Sequence, residues 1–146
     1  MRLLGVDHGA RRIGLAIGDT ATGLAFERPA LRRRQLERDV ASIVGLARAE
    51  GIELLVIGLP LNMDGSEGAE ANAARRFGDA LENAGQRVTY ADERLTSWQA
   101  RQDLNAAGRN AKRQTGAVDS AAARVLLQQY LDARRAPAGA NAEEPP

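Results

Sequence analysis

The chain has 146 residues, 44% hydrophobic and 27% charged, and its 20 basic and 19 acidic groups leave a net charge of +1. These figures match one globular domain of ordinary size and exclude a wholly disordered chain, and no apolar run approaches the roughly 20 residues of a membrane-spanning helix. There is no cysteine, so a disulfide framework and a thiolate metal site are both excluded. The opening MRLLGVDHGARR reaches Asp7 before any long apolar core develops, which does not read as a secretory signal; the cytoplasm is the expected location. All the basic residues but Lys112 are arginine. That excess fits genome composition as well as forked phosphate recognition, and by itself points to no partner.

Residues 2–7 (RLLGVD) and 13–18 (IGLAIG) are predicted strands. In the second, Ile13, Leu15 and Ile17 share one face while Gly14, Ala16 and Gly18 share the other, and a face of such small side chains lets a helix or a ligand backbone come close. The short linker HGARR contains Gly9 and joins the two strands as an antiparallel hairpin. Residues 23–31 continue the meander as a third strand. Over 35–50, Leu36, Val40, Ile43, Val44 and Ala47 recur at helical spacing, with Gly51 as the stop. Residues 52–57 (IELLVI) form a nearly continuous apolar run, the mark of a strand buried on both faces.

Pro60 and Gly65 break the loop that follows, GLPLNMDGSEG. Asp64 and Glu67 then have the spacing of a capping box and open a predicted helix that runs to about Ala84. Gly85 ends that helix, and RVTYA (87–91) is the fifth strand. Thr96 with Gln99 repeats the capping pattern at the start of a short helix, 107–115 reads as a mobile basic loop, and 117–134 is the last helix. The remainder, 136–146, holds three of the five prolines and is expected to be disordered, leaving 1–135 as one domain.

Three meandering strands are thus followed by helix, strand, helix, strand, helix. Crossover helices make the first, fourth and fifth strands parallel, so their C-terminal ends share the edge where open α/β sheets bind ligands. The expected fold is α/β and ribonuclease-H-like. Its five-stranded mixed sheet combines a three-strand antiparallel meander with two parallel strands, flanked by helices.

Three carboxylates converge on that edge. Asp7 closes the first strand, Glu93 closes the fifth, and Asp119 stands in the first turn of the last helix with Ala122, Ala123 and Leu126 on the same apolar stripe. A carboxylate on a buried stripe must find a cation or a donor. Each has a plainer role when taken singly: Asp7 as a turn cap, Glu93 as a partner for Arg94, Asp119 as a favourable charge at a helix N-terminus. Together they suit Mg²⁺ or Mn²⁺ rather than Zn²⁺. An ion held this way activates water for phosphodiester hydrolysis.

Arg11 and Arg12 flank Asp7, Arg94 follows Glu93, and Arg109, Lys112 and Arg113 precede Asp119. Short basic runs are usually solvated charge, but their place beside the carboxylates marks these six as candidate phosphate contacts. Arg32, Arg33 and Arg34 lack that support and are left as surface. The amide of Asn62 is placed to hold a phosphate or a metal-bound water, or simply to make a turn. Trp98 is the only tryptophan, so there is no stacking platform for single strands, and recognition rests on backbone geometry.

LLGVDHGARRIGLAIGD, VIGLPLNMDGSEG, ADERLTSWQA and AVDSAAARVLLQQYL, spanning residues 3 to about 131, resemble the four blocks of the YqgF (RuvX) family of RuvC-like nucleases. The resemblance implies a ribonuclease-H-like fold and a divalent-metal phosphodiesterase site, with Asp7, Glu93 and Asp119 in the acidic positions of the first, third and fourth blocks. It further implies a structured nucleic-acid substrate, cut by a monomer or a homodimer. That substrate is either pre-16S rRNA, matured at its 5′ end, or a four-way DNA (Holliday) junction. Two positions depart from the pattern: Ala122 stands where RuvC-type resolvases carry a further carboxylate, and His8 where relatives usually carry an apolar residue. Two rival readings remain. DHGARRIGLA also resembles the first phosphate loop of actin and Hsp70-like ATPases, although the chain supplies only one lobe and has no GxxxxGK[ST] loop. The other rival is a catalytically inactive adaptor that binds nucleic acid.

Overall fold

The computed structural model describes residues 1–93 and 115–143, and in the last helix the side chains of 120–134. Five strands build one mixed sheet in the order β3-β2-β1-β4-β5: β1 (Arg2–His8), β2 (Arg12–Asp19), β3 (Leu24–Arg32), β4 (Leu54–Leu59) and β5 (Val88–Asp92). β1, β2 and β3 pair antiparallel as a meander, while β1, β4 and β5 pair parallel, as the alternation of strands and helices requires. β4 is buried along its whole length, which explains its unbroken apolar run.

Helices α1 (Leu36–Glu50) and α2 (Ala69–Asn83) cover one face, where Ile43, Ala74, Phe77 and Leu81 pack on Leu4, Val6, Leu15, Leu55 and Ile57. Helix α3 (Thr115–Glu143) covers the other, laying Ala123, Leu126, Leu127 and Leu131 on Leu3, Ala16, Leu54 and Val56. The small-residue face of β2 receives this helix, not a ligand. A Cβ on Gly5 would lie 2.9 Å from Leu127 Cβ and 3.0 Å from the Ala123 carbonyl oxygen, and one on Gly18 2.9 Å from Leu131 Cδ1. Polar bonds fix where along the sheet α3 sits. Gln128 accepts from Ala25 N–H at 2.9 Å and donates to the Gly23 carbonyl at 2.8 Å, and Ser120 Oγ donates to the Arg28 carbonyl at 2.6 Å. Arg28 pairs with Leu15, which pairs with Val6. The N-terminal part of α3 therefore lies at the end of the sheet where Asp7 stands.

α1 ends as expected, with Gly51 in the left-handed region at φ 66°, a conformation glycine adopts without strain. Its start relies on the buried Asp39 carboxylate, which accepts the Arg34 N–H at 3.1 Å. The start of α2 corrects the sequence reading. The helix begins at Ala69 after Gly68, with no side-chain cap. Asp64 instead accepts from the Ser66 N–H and Oγ at 2.9 and 2.6 Å, and Glu67 forms a two-point pair with Arg75. A turn closed by Gly65 N–H on the Asn62 carbonyl, with Gly65 at φ 89°, and a bridge between Leu61 and Glu67 hold this stretch as a small loop, so helical geometry cannot start at Asp64. β4 begins at Leu54 rather than residue 52, and the described backbone of α3 continues to Glu143, past the Arg134 end read from the pattern. The short helix at Thr96 and the basic loop before Thr115 lie outside the described residues.

The packing gives a paired expectation. Gly5→Ala should lower stability by about 1–3 kcal/mol because backbone, not a flexible side chain, obstructs the new methyl. Gly45→Ala, in α1 with nothing within 4 Å of the added Cβ, should raise it by roughly 0.5–1 kcal/mol. Denaturant melts of the two variants check both signs.

Candidate active site

Parallel pairing puts the C-terminal ends of β1, β4 and β5 side by side, and a cleft of about 420 Å³ opens there. Asp7, His8, Gly9 and Ala10 line it from the end of β1 and the following turn, Pro60 from the end of β4, Ala69, Glu70 and Ala73 from α2, and Arg33 and Glu93 complete it. The β1–β2 turn is closed by Gly9 N–H on the Arg12 carbonyl at 2.9 Å.

Glu93 follows β5 directly and is half-buried. Its carboxyl folds over Gly58 of β4, filling the space that a side chain there would take, and so crosses the neighbouring strand to hydrogen-bond Asp7 on β1. Burial, then the Asp7 charge and the hydrogen bond between them, push the Glu93 carboxyl up to about 9; Glu70 and Asp92 add to the effect. Two acids that share a proton in this way both ionise only at high pH or beside a cation. Carboxylate oxygens are the donors that Mg²⁺ or Mn²⁺ takes; among the described residues no group of three or more potential ligands is assembled, and Asp7 and Glu93 are the two that would hold such an ion.

His8 faces the same cleft but is held neutral. Burial first, then the nearby Arg33 charge, lower its pKa to about 4, and its ring stacks 4.7 Å from that of Phe77. It fills the apolar position as an uncharged ring.

Of the carboxylates singled out from sequence, Asp7 and Glu93 are brought together. The backbone of Asp119 lies near the start of α3, and its side chain is outside the described residues, as are Arg94, Arg109, Lys112 and Arg113. Arg11 is exposed at the hairpin turn and Arg12 half-buried at the start of β2; neither is among the residues lining the cleft. Asn62 is exposed and donates from Nδ2 to Ser66 Oγ at 2.9 Å, as a residue of the turn. Two residues of the cleft escape the sequence reading. Glu70 is hidden by the misplaced start of α2. Arg33 looks like one of three surface arginines, and its position follows only from the register of β3, which sets Arg32 opposite Arg12 and so brings Arg33 against the β1–β2 turn.

Residues 1–133 match the model of the family RuvX, described as Holliday junction resolvase. The chain belongs to the RuvX family. Curated relatives include proteins named "Putative pre-16S rRNA nuclease" from Synechococcus sp. and Anaeromyxobacter dehalogenans. The first is 46% identical over 139 residues, covering 92% of this chain and 91% of the relative, and the second is 48% identical over 138 residues, covering 94% and 100%. Among solved structures, the RuvX chain resembles T. thermophilus RuvC in complex with a Holliday junction substrate, with TM-score 0.58, 16% identity and coverage of 92% and 96%. It also resembles the fowlpox virus resolvase in complex with Holliday junction DNA, with TM-score 0.56, 12% identity and coverage of 92% and 99%. At such identities the likeness is one of fold, and the fold is the ribonuclease-H-like sheet expected from element order. Among the described residues of this RuvX protein, no helix is long and apolar enough to cross a membrane.

The carboxyl pair makes stability depend on pH. Glu93 keeps its proton to about pH 9 in the fold but has an ordinary value of 4.5. Its contribution is therefore complete below about pH 4.5 and is lost as pH rises towards 9. Without divalent metal, the melting temperature should fall across that window. Glu93→Gln should remove much of the fall and leave the variant more stable than wild type near the upper end of the window. A melting series across pH, giving the same slope for both proteins, would contradict the coupling.

Proposed function

We propose that this chain is a divalent-metal-dependent nuclease that hydrolyses phosphodiester bonds in structured RNA, and that its substrate is the 5′ end of pre-16S rRNA. The observation that carries the reading is the hydrogen-bonded pair of carboxyls, Asp7 and Glu93, in an open cleft at the ligand edge of a RuvX sheet. Asp119 is the third acid of the set. The Ser120–Arg28 bond supports that assignment, since it sets the start of α3 near the same edge. Metal dependence is supported by the donor chemistry, which suits Mg²⁺ or Mn²⁺. When bound, the ion supplies a Lewis acid that activates water and steadies the charge developing on the phosphate.

The protein's own groups do the rest. Asp7 and Glu93 hold their positions through strand ends, burial and then the Arg33 charge keep His8 neutral, and Phe77 packs against its ring. Arg11, Arg12, Arg94, Arg109, Lys112 and Arg113, with Asn62 on the neighbouring loop, are proposed to meet substrate phosphates around the acidic edge. With no aromatic platform in the sequence, base identity counts for little and backbone shape decides. Residues 1–135 form the nuclease unit on this reading, in accord with Leu131 as the last buried side chain among those described on α3, and 136–146 are a tail outside it. Action on a precursor rRNA implies the cytoplasm.

The names of the curated relatives favour RNA. The description of the family model favours a second reading, resolution of four-way DNA junctions. That reaction requires a dimer with two clefts on opposing strands, whereas one cleft in a monomer suits trimming of a precursor. With Mg²⁺ or Mn²⁺, purified protein should cut structured precursor RNA more efficiently than it resolves a junction. Asp7→Asn should abolish cleavage while leaving folding and most binding intact, because binding rests on phosphate contacts. Paired symmetric nicks on the junction by a dimeric species would establish the second reading instead. Binding of both substrates without any metal-dependent cut would identify an adaptor.

A further inference from the structure

Arg32, Arg33 and Arg34 are consecutive, yet the fold uses each differently. Arg32 pairs with Arg12 across the meander. Arg34 donates its backbone N–H to the Asp39 carboxylate. Arg33 alone of the three lines the cleft that holds Asp7 and Glu93.

Its placement is fixed at both ends of the residue. The backbone N–H donates to the Arg11 carbonyl at 2.9 Å. In the side chain, Nη1 donates to the Gly9 carbonyl at 3.0 Å and the Ala10 carbonyl at 3.1 Å. Those two bonds hold the guanidinium against the turn that follows β1, in the cleft that Asp7 also lines. A guanidinium has five N–H donors in a fixed plane. The three on the Nε and Nη2 edge make no hydrogen bond among the described residues, and no acidic side chain among them lies within ion-pair distance. This edge is the fork that matches two oxygens of a phosphate.

Charge gives the fork a purpose. The cleft is lined by the acids Asp7, Glu70 and Glu93, and Arg33 is the one arginine or lysine among the lining residues described. A fixed cation on the lining of this cleft attracts a phosphodiester strand beside the carboxyl pair. Arg33 is anchored before the substrate arrives, so little side-chain freedom is lost on contact. A lysine, with three donors on one nitrogen and no fork, could not hold both carbonyls and a phosphate in one plane.

We propose that Arg33 binds a phosphodiester group of the substrate strand within the cleft, on the side of the β1–β2 turn, next to the carboxyl pair. The proposal rests on the phosphodiester-cleaving reading and names the side chain that admits the anionic strand. A labelled precursor-RNA hairpin and a labelled four-way DNA junction serve as probes, with binding measured by fluorescence anisotropy across a salt series. The protein carries Asp7→Asn so that the probes stay whole. Adding Arg33→Ala should weaken binding at least about tenfold and reduce the slope of log affinity against log salt by about 0.9 on duplex. Arg33→Gln, which retains an amide to donate to the turn, should lose the same slope, and Arg33→Lys should keep it. With Asp7 intact, Arg33→Ala should raise KM more than it lowers kcat, as expected for a contact made before and during the reaction.

A lowered Tm with an unchanged salt slope in both the Ala and Gln variants would overturn the proposal and leave Arg33 as a brace for the turn. Failure of the underlying reading is distinguishable. Wild-type protein that cuts neither probe, while the Arg33 variants still lose the slope, would refute cleavage and retain the phosphate contact. Wild-type cleavage with an unchanged slope and KM in the variants would refute the Arg33 assignment alone.

Discussion

Two carboxyl groups within hydrogen-bonding reach of each other, Asp7 at the end of β1 and Glu93 after β5, govern the site around them. If both were ionised about 4 Å apart at an effective dielectric near 20, their repulsion would be about 4 kcal/mol. A proton on Glu93 removes that repulsion at the expense of a strongly shifted titration. A divalent ion held by the pair would remove it more completely, with both groups ionised. On the proposed function this arrangement is a cation site; as a contribution to stability it makes little sense, which is the relation expected between catalytic groups and the folds that carry them.

The rest of the fold serves to hold this pair in place. β4 stands between β1 and β5, so the two acids come from strands that are not neighbours and meet only because Gly58 leaves the space above β4 clear for the Glu93 side chain. Glycines also serve the packing of α3 on this same face of the sheet, the face of Leu54 and Val56. Gly5 and Gly18 let α3 settle onto the sheet backbone, and the bonds of Gln128 and Ser120 then fix where along the sheet it lies. The position of the last helix relative to the Asp7 end is thus set by small residues and two polar side chains. Arg33 is fixed differently, through the register of β3 and the carbonyls of the β1–β2 turn.

Much of this could be read from the chain. The alternation of strands and helices required three parallel strands, and the buried run of β4 and the glycine stop after α1 are local signals with direct physical causes. The carboxyls Asp7 and Glu93 were legible because each ends a strand whose direction was already determined. Arg33 and Glu70 were not. Arg33 depends on a pairing register shifted by the irregularity between Ile13 and Leu15, which no local pattern announces. Glu70 was obscured because Asp64 and Glu67 have capping-box spacing but spend their oxygens on Ser66 and Arg75. The small face of β2 was recognised, though its occupant, a helix or a ligand, could not be chosen until the opposite layer was known.

Calorimetric titration of the protein with Mn²⁺ at neutral pH, repeated in two buffers of different ionisation enthalpy, tests most directly whether the carboxyl pair is a metal site. The account requires binding accompanied by release of about one proton, as the ion replaces the proton shared by Asp7 and Glu93, and loss of that proton release in Asp7→Asn. Binding of equal strength with no proton released, or binding unaltered by the substitution, would show that the ion sits elsewhere and would contradict the account.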